Sequence, residues 1–120
     1  MGPGKPSAEQ RTVLPPSADA RKSIPLARGL LDYFPAALAA VAELSYHGNA
    51  QHNAGEELHW ARGKSTDHAD ALLRHLIDRG HWDTDGVRHS AKVAWRALAI
   101  LQEELEADAG APLARGARIG

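Results

Sequence analysis

The segment that decides the fold is STDHADALLRHLIDRG, residues 65–80. It opens on three residue types that favour a helix N-terminus, and it closes on Gly80, a frequent residue just after the last turn. At 100° per residue, its aliphatic side chains share one side of a helix and its charged side chains share the other. The aliphatic side consists of Leu72, Leu73, Leu76 and Ile77, and the charged side of Asp67, Asp70, Arg74 and Asp78. We expect a helix that buries the aliphatic side.

Two more helices are predicted on either side of this segment. The first begins near Pro35, whose fixed φ suits a first helical position, and is expected to stop at Gly48. The last opens after Asp85 and Gly86 and runs to about Asp108. Its expected buried residues are Val93, Ala97, Ile100, Leu101 and Leu105. Period-two alternation of β-branched residues is absent, so no strand is predicted.

The sequence therefore predicts an all-α fold, a small bundle of three main helices. Proline and glycine concentrate outside it, which indicates an extended or flexible arm over 1–28, a helical domain over 29–108 and a flexible tail over 109–120. The connection 49–64 is long for neighbouring helices, and we expect a short helical turn within it at 56–61. Long connections in compact domains are often functional.

Composition excludes several classes of function. The chain has 14 basic and 15 acidic residues, so broad attraction to duplex nucleic acid or to an anionic membrane is not expected. It has no cysteine, which excludes disulfides and thiolate metal sites. No apolar run is long enough to span a bilayer, so we expect a cytoplasmic protein, in the host cytoplasm if a phage encodes it. A core this small favours a homo-oligomer.

Polar chemistry is concentrated between Gly48 and His75, where amides, imidazoles, carboxylates and cations follow one another closely. An ordinary surface would use mostly Glu and Lys, so this segment is the candidate site. The chain has seven histidines in 120 residues, and none has the His-Glu-x-x-His spacing of a zinc helix. The histidines are candidate general bases, metal ligands or phosphate donors, or else hydrogen-bonded structural groups.

Asp67 and Asp70 are three residues apart, so both carboxylates project from one helical face and can share a hard cation such as Mg²⁺ or Mn²⁺. The alternative is that these acids complement the positive end of the helix dipole. Glu43 is a further candidate ligand on the first helix, or one partner in a solvated surface pair.

Cationic residues recur beside the polar faces and would suit a compact polyanion such as a triphosphate. They are Arg62, Lys64, Arg74, Lys92 and Arg96. The alternative is ordinary surface charges paired with neighbouring acids. Trp60 and Trp95 are candidates to stack on a base or to anchor the core.

A pattern along most of the chain resembles the phage and bacterial dATP/dGTP diphosphohydrolase-domain family, relatives of the MazG-like all-α nucleotide pyrophosphohydrolases. Its residues fall in three blocks, covering roughly 22–105. They are Leu31, Asp32, Tyr33, Phe34, Pro35, Gly48, Asn49, Gln51, His52, Asn53 and Gly55, then Leu58, His59, Trp60, Arg62, Lys64, Ser65, Asp67, His68, Asp70, Arg74 and His75, then Asp83, Asp85, Gly86, His89, Trp95 and Arg96.

The resemblance implies hydrolysis of a deoxynucleoside triphosphate, dGTP or dATP, to the monophosphate and pyrophosphate with Mg²⁺ or Mn²⁺. MazG-like relatives usually hold the ion with Glu-x-x-Glu and a later Glu-x-x-Asp, whereas this chain offers Asp67 and Asp70, with Glu43 and Glu56 or Glu57 as candidate companions. The implied substrate-binding residues are Asn49, Gln51, His52, Asn53, His59, Trp60, Arg62, Lys64, Arg74, Lys92 and Arg96. The implied catalytic residues are Asp70, His75 and His89.

Two other functions fit the same residues. A non-catalytic nucleotide-binding module would keep the pocket without turnover, and incubation with dGTP and Mn²⁺ would separate it from an enzyme. A phage protein-interaction module would use the same polar groups across subunits, and would show no nucleotide-dependent stabilisation.

Overall fold

The computed structural model describes residues 12–118 and confirms the all-α class. The helices, in chain order, are α1 (Ala18–Lys22), a π-helical turn (Ala27–Leu31), α2 (Pro35–His52), a 3₁₀ turn (Arg62–Lys64), α3 (His68–Ile77) and α4 (His89–Asp108). The strands are β1 (Trp60–Ala61) and β2 (Ala117–Arg118). The three predicted helices are thus α2, α3 and α4, and α4 packs against both of the others, most extensively against α3.

Helix α2 does not stop at Gly48, so that predicted boundary is wrong. The helix continues one more turn and ends at His52, followed by the C-cap residue Asn53, whose backbone N–H donates to the Asn49 carbonyl at 2.7 Å. A glycine inside a helix costs about 1 kcal/mol relative to alanine, and neighbouring contacts can outweigh that cost. The glycine that the turn requires is Gly55, which has φ 82°.

The connection between α2 and α3 also differs from the prediction. The residues expected to form a helical turn, 56–61, end instead in β1, and the turn of 3₁₀ helix follows at Arg62–Lys64. β1 pairs in parallel with β2, with Trp60 opposite Ala117 and Ala61 opposite Arg118. Strands of two residues are too short to show period-two alternation, so no sequence pattern predicts them.

Helix α3 packs through a face that overlaps the predicted one only at Leu72, which is half-buried. Its buried residues are His68 and Ala71, whereas Leu73 is 56% exposed and Ile77 is 77% exposed. The buried apolar residue of α3 is thus an alanine, and the buried residues of α4 are also alanines, Ala91 and Ala99. Small side chains are therefore the most buried ones on both helices.

The predicted core of α4 is correspondingly only partly right. Val93 and Ile100 are half-buried, but Ala97 is exposed and Leu101 and Leu105 are 51% and 42% exposed. No large side chain is fully buried in the described part of the chain. The shape is elongated, 55 × 33 × 25 Å, with a radius of gyration of 16.7 Å. A compact chain of this length has a radius of gyration of about 14 Å.

Parts of the predicted arm and tail are ordered within residues 12–118. Ser17 caps α1 by accepting a hydrogen bond from the Ala20 N–H. After α4 the chain folds back along it, because Ala111 donates to the Leu105 carbonyl and Ala114 donates to the Glu106 carboxylate. Residues 1–11 and 119–120 of the predicted arm and tail lie outside the described residues.

Within the described residues, no single helix is long and apolar enough to cross a membrane. Only the pair Ala18–Leu31 and Pro35–His52, bent by 86°, meets the length and composition requirement jointly.

Candidate active site

A cleft of about 1000 Å³ opens between α2, the 53–65 connection and α4. This volume lies at the upper end of the range of small-molecule sites, about 300–1,000 Å³. It brings together ten of the residues proposed from sequence: Asn49, Gln51, His52, Asn53, His59, Trp60, Lys64, His75, Lys92 and Arg96. Apolar side chains of α4 complete it, namely Leu98, Leu101 and Leu105.

Two asparagines of α2 organise the loop that forms one wall of the cleft. Asn49 donates through Nδ2 to the Glu56 carbonyl at 3.1 Å, and its Oδ1 accepts from Asn53 Nδ2 at 3.2 Å and from the His59 N–H at 3.4 Å. Asn53 is only 8% exposed, and its Oδ1 accepts from Lys64 Nζ at 3.2 Å. The amide groups thus hold the loop in place, and Lys64 stands at its edge.

The floor of the cleft rests on an ion pair between the loop and α4. Arg62 donates to both carboxylate oxygens of Glu106, at 2.8 and 2.7 Å, and its guanidinium lies 3.8 Å from the centre of the Trp60 ring. Both partners are largely removed from water, with side chains 12% and 13% exposed. The bidentate hydrogen bond from Arg62 lowers the pKa of Glu106 to about 2.

The aromatic side chains Trp60 and Trp95 meet edge to face, with ring centres 5.4 Å apart. The Trp95 indole N–H donates to the Ser45 hydroxyl at 3.1 Å, which ties α4 to α2 across the cleft. His68 lies against both indole rings, at 6.3 and 6.0 Å. The two tryptophans therefore form part of the wall between the three main helices. The polar atom of Trp95, its indole Nε1, has a hydrogen-bond partner in Ser45.

Arg96 is fixed at the junction of α3 and α4. Its Nη1 donates to the Ser65 hydroxyl at 2.6 Å and lies 2.9 Å from His68 Nδ1. Because a guanidinium can only donate, His68 Nδ1 must accept, and the ring proton is on Nε2. Burial lowers the pKa of His68, which keeps the ring neutral. His68 Nε2 has no hydrogen-bond partner among residues 12–118 and lies 3.7 Å from Glu103.

At one end of the cleft, two histidines from different helices face each other. His75 of α3 and His89 at the start of α4 place their Nδ1 atoms 2.9 Å apart. Asp83, from the turn between these helices, has Oδ2 3.9 Å from His89 Nδ1. These three residues are the only group of three in the described chain whose ligand atoms all lie within 4.8 Å of one another.

The turn between α3 and α4 holds this group rigidly. Asp83 Oδ1 accepts from the Thr84 N–H at 2.7 Å, the Asp83 N–H donates to the Val87 carbonyl at 2.8 Å, and the His89 N–H donates to the His81 carbonyl at 3.1 Å. Gly86 has φ 81°, a conformation that a residue with a Cβ rarely adopts. The turn sequence therefore fixes where Asp83 and His89 stand.

Lys92, one turn along α4, neutralises part of this acidic turn. Its Nζ donates to Asp83 Oδ2 at 2.8 Å and to Asp85 Oδ2 at 2.7 Å. These bonds lower the pKa of Asp85 and lower that of Asp83 to about 2. Burial alone would lower the pKa of Lys92, but the two carboxylates outweigh it and raise that pKa.

The acids proposed from sequence as metal ligands do not form such a group. Glu43 and Asp70 are exposed on α2 and α3. Asp67 precedes α3 and is paired instead with Arg74 at 3.0 Å, and hydrogen bonds from Arg74 and Ser65 lower its pKa. None of these three acids, nor Arg62, Arg74 or His89, lines the cleft.

Sequence reasoning proposed His75 and His89 but missed Asp83, although Asp83 was part of the family resemblance. The available signal was local: an Asp-x-Asp-Gly turn placed between two helices, each of which carries a histidine at the end nearest the turn. Glu106 was missed because one glutamate among three near the end of α4 has no distinguishing spacing.

Comparison with known proteins gives one finding. Residues 17–111 match the family model described as dATP/dGTP diphosphohydrolase, N-terminal. This span includes α1 to α4, the whole cleft except its edge at Ala114 and Gly116, and the His75, Asp83 and His89 group. Neither the curated proteins nor the solved structures gave a significant match.

Proposed function

Because the chain belongs to the dATP/dGTP diphosphohydrolase N-terminal family, we propose that it hydrolyses a deoxynucleoside triphosphate, dGTP or dATP, to the monophosphate and pyrophosphate. The family match over 17–111 is the observation that carries this proposal. The cleft supports it, because its volume suits a nucleotide and its lining combines aromatic, amide and cationic side chains.

The five candidate cations differ in whether a carboxylate pairs with them. Arg62, Arg74 and Lys92 each have a carboxylate partner. The other two bond only to neutral groups within the described residues. Lys64 bonds to the His52 carbonyl and the Asn53 amide, and Arg96 to Ser65 and His68.

Lys64 and Arg96 therefore carry positive charge into the cleft that no carboxylate among residues 12–118 compensates, and both line it. We assign them to the phosphates, where charge-assisted hydrogen bonds are strong. The base would lie toward the apolar wall formed by Trp60, Leu98 and Leu101.

The proposed activity includes a divalent cation, Mg²⁺ or Mn²⁺. When bound, such an ion neutralises charge on the phosphates and lowers the pKa of a bound water. The residues that fit a cation best are those of the His75, Asp83 and His89 group, since Asp67 is already paired with Arg74.

The test is a panel of eight ribo- and deoxyribonucleoside triphosphates incubated with Mg²⁺ or Mn²⁺ and scored for monophosphate and pyrophosphate. Release of pyrophosphate from dGTP or dATP supports the proposal. No turnover, combined with nucleotide-dependent thermal stabilisation, would instead favour a binding module.

Lys64→Met is the sharpest variant for this site, because Lys64 is exposed and has only neutral partners. We expect kcat/KM to fall about tenfold to a hundredfold, the value of one charge-assisted hydrogen bond of about 1.5–3 kcal/mol. Arg79→Gln is the matched control, since Arg79 is exposed at the end of α3 and bonds only to the Leu76 carbonyl. Equal turnover in both variants would contradict the assignment of Lys64.

We also propose that the chain works as a homo-oligomer. The accessible surface of the protomer is 8805 Å². A monomer of 12.9 kDa is expected to expose only about 6,300 Å². The difference of about 2,500 Å² is larger than the ~800 Å² that each partner buries in a standard subunit interface. Large apolar side chains left exposed on the helices and outside the cleft, such as Tyr46, Leu73 and Ile77, are the candidates for that contact.

A further inference from the structure

We propose that His75, Asp83 and His89 form a binding site for one transition-metal ion per chain, with preference for Mn²⁺, Co²⁺ or another imidazole-binding ion over Mg²⁺. The site is separate from the acids that the sequence suggested as ligands. Its existence does not depend on the proposed nucleotide hydrolysis, because ion binding is measured without nucleotide.

The ring nitrogens of His75 and His89 are separated by the distance expected of two ligands of one ion. Two imidazoles bound to one ion at about 2.1 Å and at a right angle place their nitrogens about 3.0 Å apart. His75 Nδ1 and His89 Nδ1 are 2.9 Å apart. The measured separation is therefore the one that two imidazole ligands of a single ion have. Without an ion, a single shared proton must occupy that contact, since two N–H groups cannot face each other at this distance.

Asp83 supplies a third ligand and makes the site negatively charged. Asp83 Oδ2 is 3.9 Å from His89 Nδ1, and Lys92 Nζ bonds to the same oxygen at 2.8 Å. Lys92 has a second carboxylate partner in Asp85, at 2.7 Å. An ion that takes Asp83 therefore leaves the Lys92 ammonium paired. With neutral imidazoles, the two aspartates and one lysine give the site a net charge of −1, which favours a cation.

The identity of the ligands decides which ion is preferred. Two imidazole nitrogens and one carboxylate suit first-row transition metals, whereas Mg²⁺ prefers oxygen ligands and gives up its water reluctantly. Side chains 13% exposed at His89 and 25% exposed at Asp83 leave the site partly open. Three protein ligands on an accessible site leave coordination positions for water or a phosphate oxygen.

The experiment titrates the purified full chain with Co²⁺, followed by visible absorption, and with Mn²⁺, followed by the loss of the free-ion EPR signal. Both titrations are done without nucleotide and repeated in a large excess of Mg²⁺. We expect one equivalent per chain, retained in Mg²⁺. Asp83→Asn and His89→Phe should each weaken binding at least tenfold, and His81→Asn, a nearby exposed histidine outside the group, should leave it unchanged.

Asp83→Asn keeps the proposal testable if His89→Phe fails to fold, because the amide can still accept from the Thr84 N–H. The proposal is overturned if the wild type shows no stoichiometric binding, if Mg²⁺ displaces the ion at comparable concentration, or if Asp83→Asn binds as the wild type does. Loss of binding in His81→Asn as well would also overturn it, since it would indicate non-specific histidine binding. None of these outcomes depends on whether the chain hydrolyses a triphosphate.

Discussion

Replacing Glu106 by Gln tests the ion pair that supports the floor of the cleft. The Glu106 carboxylate accepts both hydrogen bonds from Arg62, one from Gln102 Nε2 at 2.8 Å and one from the Ala114 N–H at 3.0 Å. It thereby joins α4, the 3₁₀ turn after β1 and the returning tail. Glutamine keeps the size of the side chain but removes the charge and the bidentate geometry.

The magnitude follows from the pKa of Glu106, which is about 2 instead of the ordinary 4.5. A shift of this size corresponds to at most about 3 kcal/mol. Residual solvent around side chains 12–13% exposed screens part of it, so we expect Glu106→Gln to cost about 2 kcal/mol at pH 7. Glu104→Gln, the same change at an exposed position two residues earlier on α4, is the control and should cost less than about 0.5 kcal/mol.

The pH dependence gives the sharper test. The folded pKa lies below the unfolded value, so the stabilising contribution is complete above pH 4.5 and disappears as the pH falls toward 2. Denaturant unfolding at pH 7, 4 and 2.5 should show the difference between wild type and Glu106→Gln shrinking steadily. A variant as stable as wild type at pH 7, or a difference that does not change with pH, would refute the reasoning.

Three more predictions follow from other contacts. Trp95→Phe removes the hydrogen bond to Ser45 and should lower the free energy of unfolding by about 1–2 kcal/mol in denaturant titrations, against no loss if α2 and α4 are not coupled there. Ile77→Glu places charge on an exposed apolar surface outside the cleft, so light scattering should show a smaller oligomer with helical circular dichroism retained; an unchanged mass would argue that another surface forms the contact. Burial lowers the pKa of His68, so stability should begin to fall as the pH drops below 6.5; a flat profile from pH 7 to 5.5 would contradict a neutral His68.

Sequence pattern predicted the main helices well where their ends are set by local chemistry. Pro35 starts α2, Asp67 directly precedes α3, and the Asp85 and Gly86 turn precedes α4. It failed at Gly48, because the end of α2 is decided by the Asn49 and Asn53 side chains rather than by glycine.

The buried faces were harder to predict, because periodicity identifies an apolar stripe but not what covers it. Leu73 and Ile77 form the stripe expected of a core helix, yet they are exposed in the single chain. The most buried apolar residues of α3 and α4 are instead small, Ala71, Ala91 and Ala99, and polar pairs such as His75–His89 also join the two helices. A stripe that a second subunit covers has the same sequence pattern as one that the chain covers itself.

The polar residues of the candidate site show the same limit in another form. Composition singled out the segment from Gly48 to His75, but it cannot distinguish an amide that binds substrate from one that holds a loop. The side chains of Asn49 and Asn53 form hydrogen bonds with each other and with the loop, and Arg62 is paired with Glu106. What remains for a ligand is decided by which charges lack a counter-charge, and that depends on contacts between residues far apart in sequence.

This distinction divides the cleft into two chemically different ends. At one end, Lys64 and Arg96 carry positive charge that no carboxylate among the described residues compensates. An anion bound there is stabilised by charge-assisted hydrogen bonds from both side chains. At the other end, Asp83 and Asp85 carry two negative charges and Lys92 carries one positive charge. The net charge of −1 attracts a cation to that end. His75 lines the cleft and belongs to the acidic end, which connects the two. A triphosphate with a bound metal ion carries both charges at once, and it would satisfy both ends where either component alone satisfies one. We therefore expect metal and nucleotide to bind with positive coupling, each tightening the other by the same factor.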